Sequence, residues 1–239
     1  MAARGQWWES ILSWTLAADR EQSNEWLELH VAVHRRIHTL HVMWSDLRAD
    51  LDRYPRVHLA LCSRGFWAVA LYRIQRALLA VPKPVRAALK IVLAPVAFLI
   101  RTASGVDLPA ATRVGPGLYI GHFGCIIVSG EAVIGAFCNL SPGVIIGRAT
   151  KGGIRGAPII GDRVYIAPGA KIFGPISVGS DSAIGSNAVV DKTVPAGVSM
   201  AGVPARIISH KGSRELIDVG DEAPQASVLS DGAPVLGHS

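Results

Sequence analysis

The chain has 239 residues, enough for one domain or for one domain with a small extension. Half of it is hydrophobic and only 6% is aromatic, so aliphatic side chains rather than rings must fill the core. A formal charge of +6 and a pI near 9.5 suit an anionic partner, yet no run of Lys and Arg interleaved with aromatics marks a nucleic-acid surface.

Residues 1–42 read as a helical extension, with Trp7, Trp8, Ile11 and Trp14 at helical spacing. Glu9 comes early and no long apolar run follows, which makes this a poor signal peptide. His30, His34, His38 and His41 fall on one face, and histidines four apart can share a metal ion. No cysteine or second cluster accompanies them. A solvated or partner-facing helix is the better reading, and no metal site is expected.

Residues 43–105 read as an α-helical subdomain. An amphipathic helix from Met43 to Tyr54 stops at Pro55. A second runs roughly from His58 to Val81 and a third roughly from Val85 to Ala103, with Pro95 inside it. Arg64, Arg73, Arg76 and Lys90 interrupt these stretches, so neither offers the ~20 uninterrupted apolar residues that cross a bilayer. Basic side chains beside Phe66 and Trp67 permit a peripheral, surface-lying contact with a membrane. Packing on the rest of the chain or on another subunit is preferred, in a cytoplasmic protein.

From Leu108 onward an aliphatic residue recurs every six positions: Leu108, Val114, Ile120, Ile126; Ile134, Leu140, Ile146; Ile160, Ile166, Ile172, Val178, Ile184, Val190. Two residues are inserted before Ile134 and eight between Ile146 and Ile160. A period of six fits neither an amphipathic helix nor an alternating strand. It predicts a mainly β domain over residues 106–209, a parallel β-helix of hexapeptide repeats. The small residue that follows most marked positions, as in Ile134-Gly135, is read as permitting the corner turn. Residues 210–239 lack a sustained apolar period and read as a flexible tail. Cys62, Cys125 and Cys138 have no regular spacing, which argues against disulfides and fits a reducing compartment.

Chemistry has few places to sit. Between Asp107 and Ile208 the one histidine is His122, flanked by Gly121 and Gly124. It is either a base near neutrality or a surface residue capping a turn. The eight-residue insertion falls within Gly147–Pro158, is rich in Gly and carries Arg148, Lys151 and Arg155. It either closes over an anionic ligand or is a solvated excursion.

The stretch Ser104 to Ser209 resembles the serine acetyltransferase family of hexapeptide acyltransferases. The matching residues include Gly105-Val106-Asp107, Gly115-Pro116-Gly117-Leu118-Tyr119-Ile120-Gly121-His122, Ala167-Pro168-Gly169-Ala170-Lys171-Ile172 and Ala201-Gly202-Val203-Pro204-Ala205-Arg206. Asp46–Asp50 and Gly65–Ile74 resemble the family's helical lead-in, so the likeness covers residues 43–209. It implies a left-handed β-helix, a homotrimer with sites between neighbouring prisms, and acetyl-CoA as acyl donor; a pair of trimers stays open. By the same resemblance His122 is the general base and Asp107 its carboxylate partner. Gly147, Arg148, Lys171, Lys192 and Arg206 are candidates for holding the donor.

The departures bear on the acceptor. Where serine-using members carry an Asp before the catalytic His, this chain has Gly121. Their Arg-His-Pro of the excursion loop is Gly156-Ala157-Pro158 here, and their Arg-Asp-Pro is Arg53-Tyr54-Pro55. Removing one partner of a buried charged contact costs on the order of 2–5 kcal/mol. With Gly121, Tyr54 and Ala157 at the acceptor positions, the expected acceptor is a sugar or glycoconjugate precursor, as in polysaccharide biosynthesis. The alternatives are L-serine, with Arg155 or Arg148 as a substitute clamp, and a non-catalytic β-helix scaffold.

Overall fold

The computed structural model describes residues 39–217. The stripe residues His30, His34 and His38, most of the extension and most of the tail lie outside the described residues. His41 is exposed, and no group of three His, Cys, Asp or Glu able to hold a metal occurs among the described residues.

Four helices lead in: α1 (residues 39–52), α2 (Val57–Cys62), α3 (Arg64–Ala77) and α4 (Lys83–Ser104). The sequence predicts one helix where α2 and α3 stand. Ser63 divides them, because its backbone is extended and its hydroxyl accepts from the Phe66 N–H as the N-cap of α3. Pro82 precedes α4, and Gly105 ends it in the left-handed conformation at φ +63°. A Cβ on Gly105 would also lie 3.0 Å from the Cys125 nitrogen, so glycine is required there twice over.

The rest is wound in five coils. The first holds β1 (Val106–Asp107), β2 (Arg113–Val114) and a bridge at Tyr119. The second holds β3 (Ile126–Val128), β4 (Val133–Ile134) and β5 (Asn139–Leu140). The third holds β6 (Ile145–Gly147), a projecting antiparallel hairpin of β7 (Ala149–Lys151) and β8 (Ile154–Gly156), then β9 (Ile159–Ile160) and β10 (Tyr165–Ile166). The fourth holds β11 (Lys171–Phe173), β12 (Ser177–Val178) and β13 (Ala183–Ile184). The fifth holds β14 (Val189–Val190), a bridge at Val194 and β15 (Ser199–Ala201), after which β16 (Arg206–Ser209) turns back antiparallel to β15. Equivalent strands stack in parallel into three faces: β1-β3-β6-β11-β14, β2-β4-β9-β12, and β5-β10-β13-β15 with β16. This is a left-handed parallel β-helix with an N-terminal helical region. Strands of two or three residues carry little twist, so the usual right-handed preference of parallel crossovers has small purchase here.

The register moves one of the predicted slips. Asp107 stands beside Ile127, and Ile127 beside Ile145. The inward residue equivalent to Leu108 and Ile146 is therefore Val128, not Ile126. The two extra residues lie between Ile120 and Val128, at the corner that carries His122. Ile126 is buried as well, because β3 points both its ends inward and only Ile127 outward. The eight-residue insertion is the β7–β8 hairpin.

The corners also correct the role given to the small residues. Left-handed backbone falls three positions after the inward aliphatic, at Gly117, Phe137, Arg163 and Asp181. The residue directly after it is small for another reason. A Cβ on Gly135 would lie 2.3 Å from Asp162 Oδ1 and 2.5 Å from the Gly161 carbonyl carbon, inside the next coil.

A buried ion cluster fixes the helices to the first coil. Arg73 of α3 donates to Asp50 at 2.8 and 3.0 Å, to Asp46 at 2.9 Å, and to the carbonyls of Val114 and Gly115 at 2.9 and 2.6 Å. Asp50 accepts the Leu118 N–H at 2.8 Å. Burial works against the Arg73 charge, but the two carboxylates outweigh it and hold the guanidinium protonated. Lower on α3, a Cβ on Gly65 would sit 2.0 Å from the Ile120 carbonyl oxygen, so helix and coil meet backbone to backbone.

Candidate active site

The corner Gly121–Cys125 joins the third face of the first coil to the first face of the second. It is held against the end of α4, with the Gly124 N–H donating to the Ser104 carbonyl at 2.9 Å and the Ile126 N–H to the Gly105 carbonyl at 3.0 Å. Asp107 begins the outward row of the first face, two residues beyond that contact. The fold therefore brings Asp107 and His122 to the same edge of the prism, both exposed. No hydrogen bond joins them among the described residues. Catalytic hydrogen bonds are often loose without substrate, so its absence does not decide whether the two act together.

Aromatic rings support this corner from below. Tyr54 is buried and donates its hydroxyl to the Ile120 carbonyl at 3.0 Å. Its ring packs edge-on against Phe66 and at 4.9 Å from Tyr119. Burial pushes the Tyr54 phenol up to about 12, so it stays a neutral donor. Tyr119 explains Gly121, where a Cβ would meet the Tyr119 hydroxyl at 2.8 Å. Arg53 donates to Asn139 Oδ1 at 2.8 Å and ties the end of α1 to β5. Above the corner the Arg64 guanidinium lies 3.9 Å from the centre of the exposed Phe123 ring, next to His122 in sequence.

The other candidates are spread more widely. Gly147 pairs with Phe173 on the first face, and Arg148 beside it forms an exposed ion pair with Glu131. Lys171 is on the same face, its Nζ donating to the Gly169 carbonyl at 2.9 Å. Lys192 is exposed just after β14. Arg206 stands apart, in β16 on the third face. Arg155 is exposed on β8, opposite Thr150, and has no side-chain partner among the described residues. Lys151, from the same hairpin, reaches the Asp191 carbonyl. Ala157 packs against the prism core. The hairpin lies between the first and second faces, so His122 and Arg155 occupy different corners of one prism.

Sequence reasoning gives no site role to Tyr119, Arg53, Arg64 or Phe123, although Arg53 and Tyr119 stand within the motifs that carry the resemblance.

Comparison with known proteins settles the family. No family model matches the chain. The serine acetyltransferase of Mycobacterium tuberculosis is 33% identical over 175 residues, covering 72% of this chain and 74% of that one. That of Helicobacter pylori (strain J99) is 31% identical over 159 residues, 65% and 82% of the two chains. Among solved structures, the Brucella abortus serine acetyltransferase in complex with coenzyme A superposes with a TM-score of 0.61 at 32% identity, over 77% of this chain and 72% of that one. The Neisseria gonorrhoeae enzyme in complex with serine gives 0.58 at 30%, over 74% and 73%. These names overturn the sugar or glycoconjugate acceptor expected from Gly121, Tyr54 and Ala157. The structure supplies the reason the inference failed for two of them: Tyr54 is turned inward to hold the Ile120 carbonyl, and Gly121 makes room for Tyr119. With sequence, coil register and fold in agreement, the chain belongs to the serine acetyltransferase family of hexapeptide-repeat acyltransferases.

Proposed function

We propose that this chain transfers an acetyl group from acetyl-CoA to the hydroxyl of L-serine, with His122 as general base. What supports the reading is a chain of this family whose lone histidine of the coils, His122, stands exposed on the enlarged corner that leads into the face begun by Asp107. His122 removes the hydroxyl proton as the serine oxygen attacks the thioester carbon. The tetrahedral intermediate collapses with loss of the CoA thiolate, which takes the proton back from the imidazolium. Asp107 orients the imidazole and steadies its transient positive charge.

The donor lies along the first face, where Gly147 leaves room beside Phe173 and Arg148, Lys171 and Lys192 offer charges for phosphate. Arg206, on another face, is left out of that groove. The serine carboxylate is held by Arg155. Within one prism Arg155 and His122 occupy different corners, so this assignment requires a second copy. A closed ring of three chains, each lending its hairpin to the His122 corner of the next, satisfies it.

The test is to incubate acetyl-CoA and L-serine with the protein and to follow both thiol release and product mass. Equal amounts of free thiol and O-acetylserine are expected, with both lost in His122→Ala. Thiol release without O-acetylserine, or unchanged turnover in His122→Ala, contradicts the reading.

A further inference from the structure

The corner that carries His122 holds a polar group that the proposed reaction does not use. Tyr119 stands on the third face of the first coil, bridged in parallel to Asn139. Its ring is half-buried and packs against the cluster of Tyr54, Ala60 and Phe66. The Tyr54 ring lies 4.9 Å away, and the Arg53 guanidinium 5.7 Å from the Tyr119 ring centre. Arg53 is held in turn, donating to Asn139 Oδ1 at 2.8 Å and to the Phe137 carbonyl at 3.3 Å. A phenol packed in this way has little rotamer freedom left to lose when a ligand binds.

The hydroxyl end is open by contrast. The neighbouring Tyr54 hydroxyl donates to the Ile120 carbonyl, whereas the Tyr119 hydroxyl has no hydrogen-bond partner among the described residues. It lies against the backbone of Gly121. A Cβ there would sit 2.8 Å from the hydroxyl oxygen, 2.9 Å from Cε1 and 3.0 Å from Cζ. The phenol thus fills the space of a side chain at position 121, next in sequence to the candidate base. Any side chain there would displace it.

Charge narrows what this hydroxyl can meet. In the proposed reaction L-serine gives its hydroxyl to His122 and its carboxylate to Arg155, which leaves the ammonium without a partner. The segments that the reaction brings to the site hold no acid for it. Arg53–Val106, Gly121–Cys125 and Gly147–Pro158 contain no Asp or Glu, and Asp107 is already assigned to the imidazole. A hydroxyl oxygen accepts from an ammonium N–H, and an aromatic ring adds attraction for the cation.

We propose that Tyr119 is an acceptor-binding residue, its hydroxyl oxygen accepting a hydrogen bond from the ammonium of L-serine. This assignment rests on the serine reading above.

The test is steady-state kinetics of the full chain carrying Tyr119→Phe. The KM for L-serine should rise about tenfold or more, as for the loss of one hydrogen bond to a charged group, while that for acetyl-CoA moves less than about twofold. The desamino analogue 3-hydroxypropanoate, used as a competitor of L-serine, should lose far less affinity than L-serine does. Gly121→Ala, which crowds the phenol without removing it, should also raise the serine KM, and its effect should not add to that of Tyr119→Phe. An unchanged serine KM in Tyr119→Phe overturns the assignment and leaves the serine reading standing. So does an equal loss of L-serine, 3-hydroxypropanoate and acetyl-CoA, or full additivity of the two variants. A parent chain that does not acetylate L-serine overturns both.

Discussion

Inside the prism the core is a column of Ile, Leu and Val, rung upon rung, with Ile120, Ile134, Ile146, Ile166 and Ile172 all completely buried. The helical region is built the other way. It buries charge beside its apolar groups, Arg73 and Asp50 next to Val69 and Tyr72, while large aliphatic residues of α4 stand in the open. The contrast shows what a repeat can and cannot do. A repeating coil buries apolar surface by stacking on its neighbour, so each rung needs only the right side chain at the right phase. The lead-in has no repeat to stack on, and specific polar clamps to the corners Val114–Leu118 and Ile120 fix its place. The candidate base lies where these two kinds of construction meet.

Five substitutions sharpen that contrast. The largest effect belongs to the meeting point: His122→Ala should lower turnover by about 10²–10⁴-fold while leaving the unfolding curve in place. Next comes the clamp. Arg73→Ala leaves the buried Asp50 and the half-buried Asp46 without their partner and should cost about 3–5 kcal/mol in denaturant unfolding. Within the prism, Ile146→Ala should cost about 2–5 kcal/mol, while Ile127→Ala, one rung away and pointing outward, should cost far less. If instead Ile127→Ala were the costlier of the two, the register of the second coil would be wrong.

The smallest effect is on the surface. The Arg163 guanidinium, hydrogen-bonded to Asp181 at 2.7 and 2.9 Å, holds that carboxyl below its ordinary value of 3.8. A folded-state value below the unfolded one stabilises the fold at pH above 3.8 and stops doing so as pH falls through the folded value. Asp181→Asn should therefore lower stability by less than about 1 kcal/mol near neutrality. That difference should vanish on acidification, as followed by thermal unfolding at a series of pH values.

Much of the prism was legible because its physics is periodic. The six-residue clock located the coils and the hairpin, and failed only in β3, where Ile126 and Val128 both point inward and either satisfies the pattern. The reason for each small residue was not legible. Gly135 is small because the next coil passes behind it, and that is a property of stacking rather than of the turn. At the site, His122 was singled out as the lone histidine of the coils, and Asp107 through resemblance. The acceptor was misread because Tyr54 and Gly121 were taken as groups facing a ligand. The contact of Tyr54 with Ile120 joins residues whose meeting depends on how α1 docks on the first coil, and no local pattern encodes that.

The most direct measurement is complementation between two damaged chains. His122→Ala and Arg155→Ala should each be inactive in acetyl transfer to L-serine. Unfolded and reassembled together in equal amounts, they should recover about a quarter of the parent activity, because in a three-membered ring that share of the sites receives both an intact His122 and a neighbour's intact Arg155. A mixture as inactive as its components would contradict a site shared between copies, and a fully active Arg155→Ala would contradict the clamp.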